Sequence, residues 1–152
     1  MNELVIVRHG DAGPYTQPDA ARELSEAGRE EARKTARQLL ALQWQDVVIW
    51  HSPYVRARQT ADILSQVLAG RSLEVAGITP DDHPDTFIRR MDRDDVPERL
   101  ILVSHMPFVA TLEARLTGNQ GEPFMTGEAR LLRTETIWYP GQAIRVKVMR
   151  PL

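Results

Sequence analysis

The sequence predicts an α/β protein with three layers, α/β/α, whose central sheet is mostly parallel and has an antiparallel edge near the C-terminus. Short, continuous apolar runs alternate with segments of helical periodicity along most of the chain. Such runs are typical of parallel strands that helices cover on both faces. The end of the chain differs, because an alternating apolar and basic segment and the turn sequence Tyr139-Pro140-Gly141 favour antiparallel strands there.

Six short segments are predicted to be strands, because they are rich in β-branched or large aliphatic residues. The four that should be parallel are residues 4–7, 47–50, 73–78 and 100–103. The two antiparallel segments comprise residues 131–132 and 144–148. They flank the turn and should form the edge of the sheet.

Three segments, residues 25–43, 53–69 and 107–117, have the apolar spacing of helices. Ser25 suits the N-cap of the first helix. Its buried stripe is expected to comprise Ala32, Thr35, Ala36, Leu39 and Leu40. Residues 11–24 are expected to form a loop that lines the binding crevice, as loops at the carboxyl end of a parallel sheet do. For residues 79–98, a helix and a lid are both open.

The composition limits the class of protein and its partners. The chain has 152 residues, which predicts one domain spanning residues 1–152. It has no cysteine, so disulfides, zinc–thiolate sites and thiol nucleophiles are excluded. A net charge of −2 without a sustained basic run argues against nucleic acid as a partner. The first apolar run is too short for a secretory signal or a membrane span, so a cytoplasmic protein without membrane association is expected.

Arg8-His9-Gly10 follows the first apolar run and is the first candidate for chemistry. A neutral imidazole can attack phosphorus, and a guanidinium can hold phosphate oxygens in a fork. Glycine allows the backbone to turn tightly beneath these side chains. A motif of three residues also occurs by chance. By itself it therefore supports phosphoryl transfer only as a hypothesis.

Arg56 is the second candidate, in the first turn of the helix predicted over residues 53–69. Ser52 suits the N-cap of this helix and Pro53 its first turn. Helical spacing places Arg56 on the inward face and Arg58 in solvent. The inward stripe comprises Thr60, Ile63, Leu64 and Val67. An inward guanidinium at a helix N-terminus needs an anionic partner, which is either a substrate phosphate or a structural carboxylate.

The third candidate is His105, which follows Ser104 at the end of the predicted strand over residues 100–103. The next helix should begin at Pro107 and bury Phe108, Val109, Leu112 and Leu116. Because the carboxyl ends of parallel strands meet at one edge of a sheet, His105 should lie near the other candidates. Two imidazoles and two guanidiniums at that edge predict a site for a phosphate group.

These residues belong to several ordered motifs. They are Arg8-His9-Gly10-Asp11-Ala12, Leu24-Ser25 with Gly28, Ser52-Pro53 with Arg56-Ala57 and Gln59-Thr60, and Ser104-His105. Together they resemble the histidine phosphatase (phosphoglycerate mutase-like) superfamily. The short length and the first two motifs are most similar to its SixA-type phosphohistidine phosphatases. The resemblance extends over nearly the whole chain and is weakest around residues 79–98 and at the C-terminal end.

The resemblance implies a mechanism with a covalent intermediate. His9 would be the nucleophile and form a phosphohistidine that water hydrolyses. Arg8 and Arg56 would bind the non-bridging oxygens through charge-assisted hydrogen bonds. His105 would complete the pocket as a further donor. No metal or other cofactor is expected, since the cationic side chains supply the positive charge.

The leaving group bears on the substrate class. Relatives that act on sugar or alcohol phosphates have a carboxylic acid that protonates the leaving oxygen. The region that could supply it here, Pro80-Asp81-Asp82-His83-Pro84-Asp85, is short and has no recognisable match, and Asp81 and Asp82 are its candidates. Both are more simply solvated turn residues. An imidazole leaves readily, because its own pKa of about 6.5 makes it easy to protonate. A missing acid therefore favours a phosphoramidate such as phosphohistidine.

Three other polar positions are open or of lesser weight. Arg22 is similar to an arginine of the SixA pattern and is a candidate for binding a substrate phosphate or the surface of a partner protein, with a loop ion pair to Asp19 as the alternative. His51 replaces an apolar residue usual in the family and is expected near the pocket rim. His83 is expected at the surface.

Three functions follow, in order of preference. The first is hydrolysis of protein-bound phosphohistidine by a monomeric enzyme, with a histidine-phosphotransfer domain or a phosphotransfer-system carrier as the phosphorylated partner. The alternative is a phosphomonoesterase for a small sugar or nucleotide-type ester. The third is a non-catalytic phosphate-binding module, since one fold hosts many functions.

Overall fold

A computed structural model describes residues 1–93 and 96–152 and contains one six-stranded sheet with helices on both faces. The strands are β1 (Asn2–Arg8), β2 (Val48–His51), β3 (Arg71–Glu74), β4 (Arg99–Ser104), β5 (Ala129–Thr134) and β6 (Ile144–Met149). The helices are α1 (Glu26–Leu40), α2 (Val55–Leu68), α3 (Pro84–Arg93) and α4 (Phe108–Thr117). A short 3-10 turn at Asp19–Ala21 interrupts the loop before α1.

The strand order is β3-β2-β4-β1-β5-β6. The pairs β3–β2, β2–β4 and β4–β1 are parallel. β5 is antiparallel to β1, and β6 is antiparallel to β5. The predicted α/β class, with its mostly parallel sheet and antiparallel edge, is confirmed. Because β1, β2 and β4 are parallel, the residues that follow them all emerge at one edge of the sheet.

The core lies in two apolar layers, one on each face of the sheet. Consecutive residues of β1, such as Ile6 and Val7, belong to opposite layers because strand side chains alternate. The layer beneath α3 and α4 includes Trp50, Phe87, Leu102 and Phe108. The layer beneath α1 and α2 includes Ala36, Ile49, Leu64 and Val103. This arrangement gives the predicted three layers.

The boundaries of the third strand and of one helical stripe were predicted wrongly. β3 spans Arg71–Glu74 instead of residues 73–78, because it pairs only with β2, and β2 ends at His51. Val75 and Ile78 lie beyond the strand and are buried, which explains the misleading apolar run. Leu40, the last residue of α1, is 49% exposed, whereas Leu39 beside it is buried.

Residues 79–98, for which the sequence allowed either a helix or a lid, contain the helix α3. α3 places Phe87, Ile88 and Met91 in the core, where the ring of Phe87 meets the rings of Trp50 and Phe108 edge-on. Positions 94 and 95 of that segment lie outside the described residues. Across the described chain, no helix is both long and apolar enough to span a bilayer.

A close backbone contact sets the course of the loop that follows β1. The main chain of Gly10 lies against that of Gly28 in α1, and a Cβ atom on either residue would collide with backbone. Ser25 caps α1 by accepting a hydrogen bond from the Gly28 N–H at 3.0 Å, as predicted. The loop over residues 11–24 therefore leaves the sheet and returns to it beside the end of β1.

Candidate active site

His9 lies directly after β1, and its side chain is buried among polar groups. Its main-chain N–H donates to the Ser104 carbonyl of β4, which ties it to the sheet. Its Nδ1 is 2.6 Å from the carbonyl oxygen of Gly10. Because a carbonyl only accepts hydrogen bonds, Nδ1 carries the ring proton and Nε2 keeps its lone pair. The ring is held in the tautomer that a nucleophile needs.

The surroundings of His9 keep this imidazole neutral. Burial lowers the pKa of His9 to about 4. The hydrogen bond to Gly10 raises this pKa, whereas the charges of Arg56 and Arg8 lower it further. Arg56 also donates from Nε to the Nε2 of His9 at 3.2 Å. The ring is thus unprotonated near pH 7 and its lone pair faces a cation.

Arg56 projects inward from the first turn of α2, and Arg58 is exposed, as helical spacing predicted. Besides its bond to His9, the guanidinium donates from Nη1 to the Asp19 main-chain oxygen at 2.8 Å and from Nη2 to the Asp19 Oδ2 at 3.2 Å. It also lies 5.0 Å from the centre of the Tyr54 ring. Arg56 therefore connects His9 to the loop over residues 11–24.

His105 follows β4 and contacts the same group of side chains. Its ring centre is 5.1 Å from that of His9 and 4.8 Å from that of Tyr54. Nε2 lies 2.7 Å from the Ser52 hydroxyl oxygen. Burial, followed by the charges of His9, Arg56 and Arg8, lowers the pKa of His105 to about 2. The second imidazole is also neutral.

Arg8 and Arg22 supply two further guanidiniums. Arg8 donates from Nη1 to the Phe124 carbonyl at 2.8 Å, and burial lowers its pKa from the ordinary value. Arg22 donates from Nη1 to Asp19 Oδ1 at 3.0 Å and from Nη2 to the Gly13 carbonyl at 2.8 Å. The structure thus contains the Arg22–Asp19 ion pair that was the alternative to a phosphate-binding role.

Three buried nitrogen atoms in this cluster have no hydrogen-bond partner: Arg8 Nε, Arg22 Nε and His105 Nδ1. Within residues 1–93 and 96–152, no other buried side-chain nitrogen or oxygen atom lacks a hydrogen-bond partner. Buried polar groups are normally paired, so unpaired ones need an explanation. Two of the three belong to guanidiniums, and all three belong to predicted site residues. An oxyanion is the ligand that such a set of groups suits.

The carboxylates considered as proton donors are occupied or exposed. Asp82 Oδ2 accepts hydrogen bonds from the Thr79 main-chain N–H at 2.7 Å and from its hydroxyl at 2.6 Å. Asp81 is exposed in an open groove of about 570 Å³ that Pro107 also lines. His83 is exposed, as expected. None of these three side chains has a hydrogen bond or ion pair with His9 or Arg56 among the described contacts.

His51, expected near the pocket rim, is a buried residue of β2. Its Nδ1 is 2.9 Å from the Ser52 carbonyl, so the ring donates to the main chain next to it. Ser52 is not the N-cap of α2, since the helix starts at Val55 after Tyr54. Instead, its hydroxyl accepts from the Tyr54 N–H at 3.1 Å and contacts His105.

Sequence reasoning missed the roles of Ser52 and the Phe124 carbonyl, and it considered Asp19 as a partner of Arg22 but not of Arg56. Asp19, Ser52 and the carbonyl of Phe124 all contact predicted site residues. Ser52 was visible within the Ser52-Pro53 motif, but was assigned to helix capping. The contact of Asp19 with Arg56 and that of the Phe124 carbonyl with Arg8 carry no such sequence signal, because loop geometry brings these groups to the site.

Comparison with known proteins gives the family. The model of the histidine phosphatase superfamily, branch 1, matches residues 4–76, which include Arg8, His9 and Arg56. A protein of Haemophilus influenzae named phosphohistidine phosphatase SixA homolog is 30% identical over 129 residues, which are 77% of this chain and 78% of that protein. The chain belongs to the histidine phosphatase superfamily.

Within this superfamily the likeness is to SixA-type proteins, as the motifs predicted. Phosphohistidine phosphatase SixA of Escherichia coli K12 is 28% identical over 134 residues, covering 84% of this chain and 81% of the relative. A solved structure of the protein histidine phosphatase SixA complexed with tungstate has the same fold, with a TM-score of 0.82 at 24% identity. It covers 98% of this chain and 97% of that one.

The two neutral histidines predict a loss of stability in acid. Both folded-state pKa values lie below the usual value near 6.5, so the unfolded chain binds protons first. Stability from these rings is fully present above about pH 6.5 and is lost as pH falls towards their folded-state pKa values, about 4 for His9 and about 2 for His105, each ring contributing at most about 1.4 kcal/mol per pH unit. Urea unfolding at a series of pH values measures this slope. His9→Gln should reduce it, whereas the exposed His83→Gln should leave it unchanged.

We expect the carboxylate of Asp19 to compete with a bound oxyanion for Arg22 and Arg56. Its carboxylate is the negative charge that Arg22 and Arg56 hold. Asp19→Asn should tighten tungstate or phosphate binding about fivefold, because it removes that charge from a partly exposed pair. Calorimetric titration measures the affinity. Glu23→Gln is the matched control, since Glu23 is exposed in the same loop and its carboxylate accepts only from Gln59 among the described residues. Weaker binding in Asp19→Asn would mean that Asp19 mainly orients the arginines.

Proposed function

We propose that the protein is a phosphohistidine phosphatase that forms a phosphohistidine intermediate on His9. The observation that carries the proposal is the unprotonated Nε2 of His9, which accepts a hydrogen bond from Arg56 Nε in a cluster with unpaired nitrogens on Arg8 and His105. A nucleophile that faces several cationic donors suits attack on a phosphoryl group. This cluster is the one expected of a hydrolase in the histidine phosphatase superfamily.

The reaction has two steps. The lone pair of His9 Nε2 forms a bond to phosphorus while the bond from phosphorus to the substrate's imidazole nitrogen breaks, and that nitrogen takes a proton from solvent. Water then attacks phosphorus, the bond to Nε2 breaks, and inorganic phosphate leaves. Arg8 and Arg56 stabilise the negative charge on the phosphoryl oxygens in both steps. The Gly10 carbonyl keeps the Nδ1 proton of His9 in place throughout.

The state of the nearby carboxylates favours phosphohistidine over a phosphate ester. Burial alone would raise the pKa of Asp19, but the hydrogen bonds and charges of Arg22 and Arg56 outweigh it and leave that pKa below the usual range. Asp19 is therefore an anion at neutral pH and not a proton donor. Asp82 is engaged by Thr79 and Asp81 is exposed. An imidazole leaving group needs no strong acid, whereas an alkoxide does.

The relatives support the same substrate class and partner. Two of them are named phosphohistidine phosphatases, and the related solved structure holds tungstate, an oxyanion with the shape of phosphate. The expected partner is a phosphorylated histidine-phosphotransfer domain or phosphotransfer-system carrier. Residues 14–18 of the loop beside the site are all exposed and would meet such a protein first. The guanidiniums supply the positive charge, so no metal is required.

The deciding experiment follows both the intermediate and the substrate. The protein is incubated with a carrier protein bearing ³²P-phosphohistidine, quenched within milliseconds to seconds, and analysed for an acid-labile, base-stable label on His9. In parallel, phosphate release from the carrier is compared with release from sugar and nucleotide monoesters. Label on His9 and faster carrier turnover support the proposal. Rapid ester hydrolysis without loss of carrier phosphate would assign the ester alternative, and Asp81→Asn and Asp82→Asn would then have to abolish it.

A further inference from the structure

Ser52 is wholly buried between the end of β2 and the site. Its main-chain N–H donates to the Val103 carbonyl of β4 at 3.1 Å, which holds it against the sheet. Its hydroxyl oxygen accepts from the Tyr54 main-chain N–H at 3.1 Å. The same oxygen lies 2.7 Å from His105 Nε2, a ring that is 1% exposed. The serine thus connects a turn of the main chain to the second imidazole of the cluster.

Counting protons decides the direction of the contact with His105. A serine hydroxyl has one proton to donate and two lone pairs to accept with, and the Tyr54 N–H takes one of those lone pairs. Across the described residues, Ser52 Oγ has hydrogen bonds with Tyr54 N and His105 Nε2 alone. If Nε2 carried a proton, both lone pairs would be used and the hydroxyl proton would be buried without an acceptor. If the hydroxyl donates to Nε2, every group on Ser52 is paired.

The second arrangement also determines the other nitrogen of the ring. A neutral imidazole that accepts at Nε2 carries its proton on Nδ1. His105 Nδ1 is buried and has no partner among the described residues, so its N–H is available to a ligand. The neighbouring cations Arg8 and Arg56 disfavour a second proton on the ring. His105 therefore presents one neutral donor, at the ring nitrogen that does not contact Ser52.

We infer that Ser52 is a positioning residue that selects the Nδ1–H tautomer of His105, so that this N–H donates to the transferring phosphoryl group. The tautomer stands on the geometry alone, and only its use in catalysis rests on the proposed function. A donor held in place before the charge develops stabilises a transition state more than one that must reorient. Both histidines then carry their proton on Nδ1, but for opposite tasks: the Gly10 carbonyl orients His9 so that Nε2 offers a lone pair, and Ser52 orients His105 so that Nδ1 offers a proton.

Nuclear magnetic resonance tests the tautomer without reference to activity. In the ¹⁵N-labelled wild-type protein, long-range ¹H–¹⁵N spectra should show His105 with a protonated Nδ1 and an unprotonated Nε2 at pH 7. Ser52→Ala should convert part or all of the ring to the Nε2–H form. Ser65→Ala is the control, since Ser65 lies on α2 and donates to the Gly70 carbonyl away from the site. A protonated Nε2 in the wild type would overturn the inference, as would an unchanged tautomer in a folded Ser52→Ala variant.

Kinetics with phosphoimidazole tests the use of that proton. Ser52→Ala should lower kcat about tenfold to a hundredfold with little change in KM, as expected for loss of a donor that acts in the transition state. In a His105→Ala background, Ser52→Ala should lower kcat no further, because the effect of Ser52 depends on the imidazole of His105. An equal loss in both backgrounds would overturn the positioning role. Should His9 prove not to be phosphorylated, the proposed function fails, while the wild-type tautomer still decides the assignment of Ser52.

Discussion

Replacing His9 with glutamine is expected to lower kcat/KM for phosphohistidine roughly 10⁴-fold or more, the scale seen when a covalent nucleophile is removed. The amide can still accept the hydrogen bond from Arg56 Nε, but it cannot form a bond to phosphorus. Tungstate affinity should change only a few-fold, because Arg8 and Arg56 remain. Single-turnover assays measure the first quantity and calorimetric titration the second.

The control for His9→Gln is His83→Gln, which replaces an exposed histidine outside the cluster. It should leave both activity and tungstate binding unchanged. If His9→Gln retained substantial turnover, the nucleophile would have to be another group, and the proposed intermediate would be wrong. If it lost tungstate binding as well, the effect would be on the structure of the site instead of on its chemistry.

Arg56→Lys is expected to lower kcat/KM about 10³-fold, comparable to losses when a transition-state arginine is removed in phosphoryl transfer. The planar guanidinium donates at once to His9 Nε2, to the Asp19 carbonyl and to the Asp19 carboxylate. An ammonium group keeps the charge but cannot reproduce this fork. Binding of tungstate should weaken too, since one of the anion-binding groups is lost. Steady-state kinetics and calorimetry on the purified variant measure the two effects.

Arg58→Lys makes the same chemical change two residues away on the exposed side of α2. It should leave kcat/KM unchanged within error. Thermal unfolding of both variants separates a folding defect from a catalytic one. A loss of less than about tenfold for Arg56→Lys would mean that charge alone suffices at this position, and the bidentate role would have to be given up.

The site could be predicted from sequence to the extent that it depends on strand order and helical spacing. His9 and His105 each follow an apolar run, and the ends of two parallel strands must lie at the same edge of the sheet. Arg56 is four residues before the buried Thr60, so its inward direction follows from the helix period. Tertiary contacts overrode local pattern elsewhere: β2 sets the extent of β3, and Ser52 bonds to His105 rather than capping α2.

By itself the sequence determined the α/β fold, the residues at the strand ends and the cysteine-free, cationic chemistry of the cluster, because all of these are local patterns or consequences of parallel pairing. Only the tertiary structure decided which protons and charges meet there. Asp19 reaches Arg56 across 37 positions of the chain, Ser52 reaches His105 across 53, and the Phe124 carbonyl reaches Arg8 across 116. Contacts of that range depend on how loops pack, and a loop has no periodicity from which its path can be read.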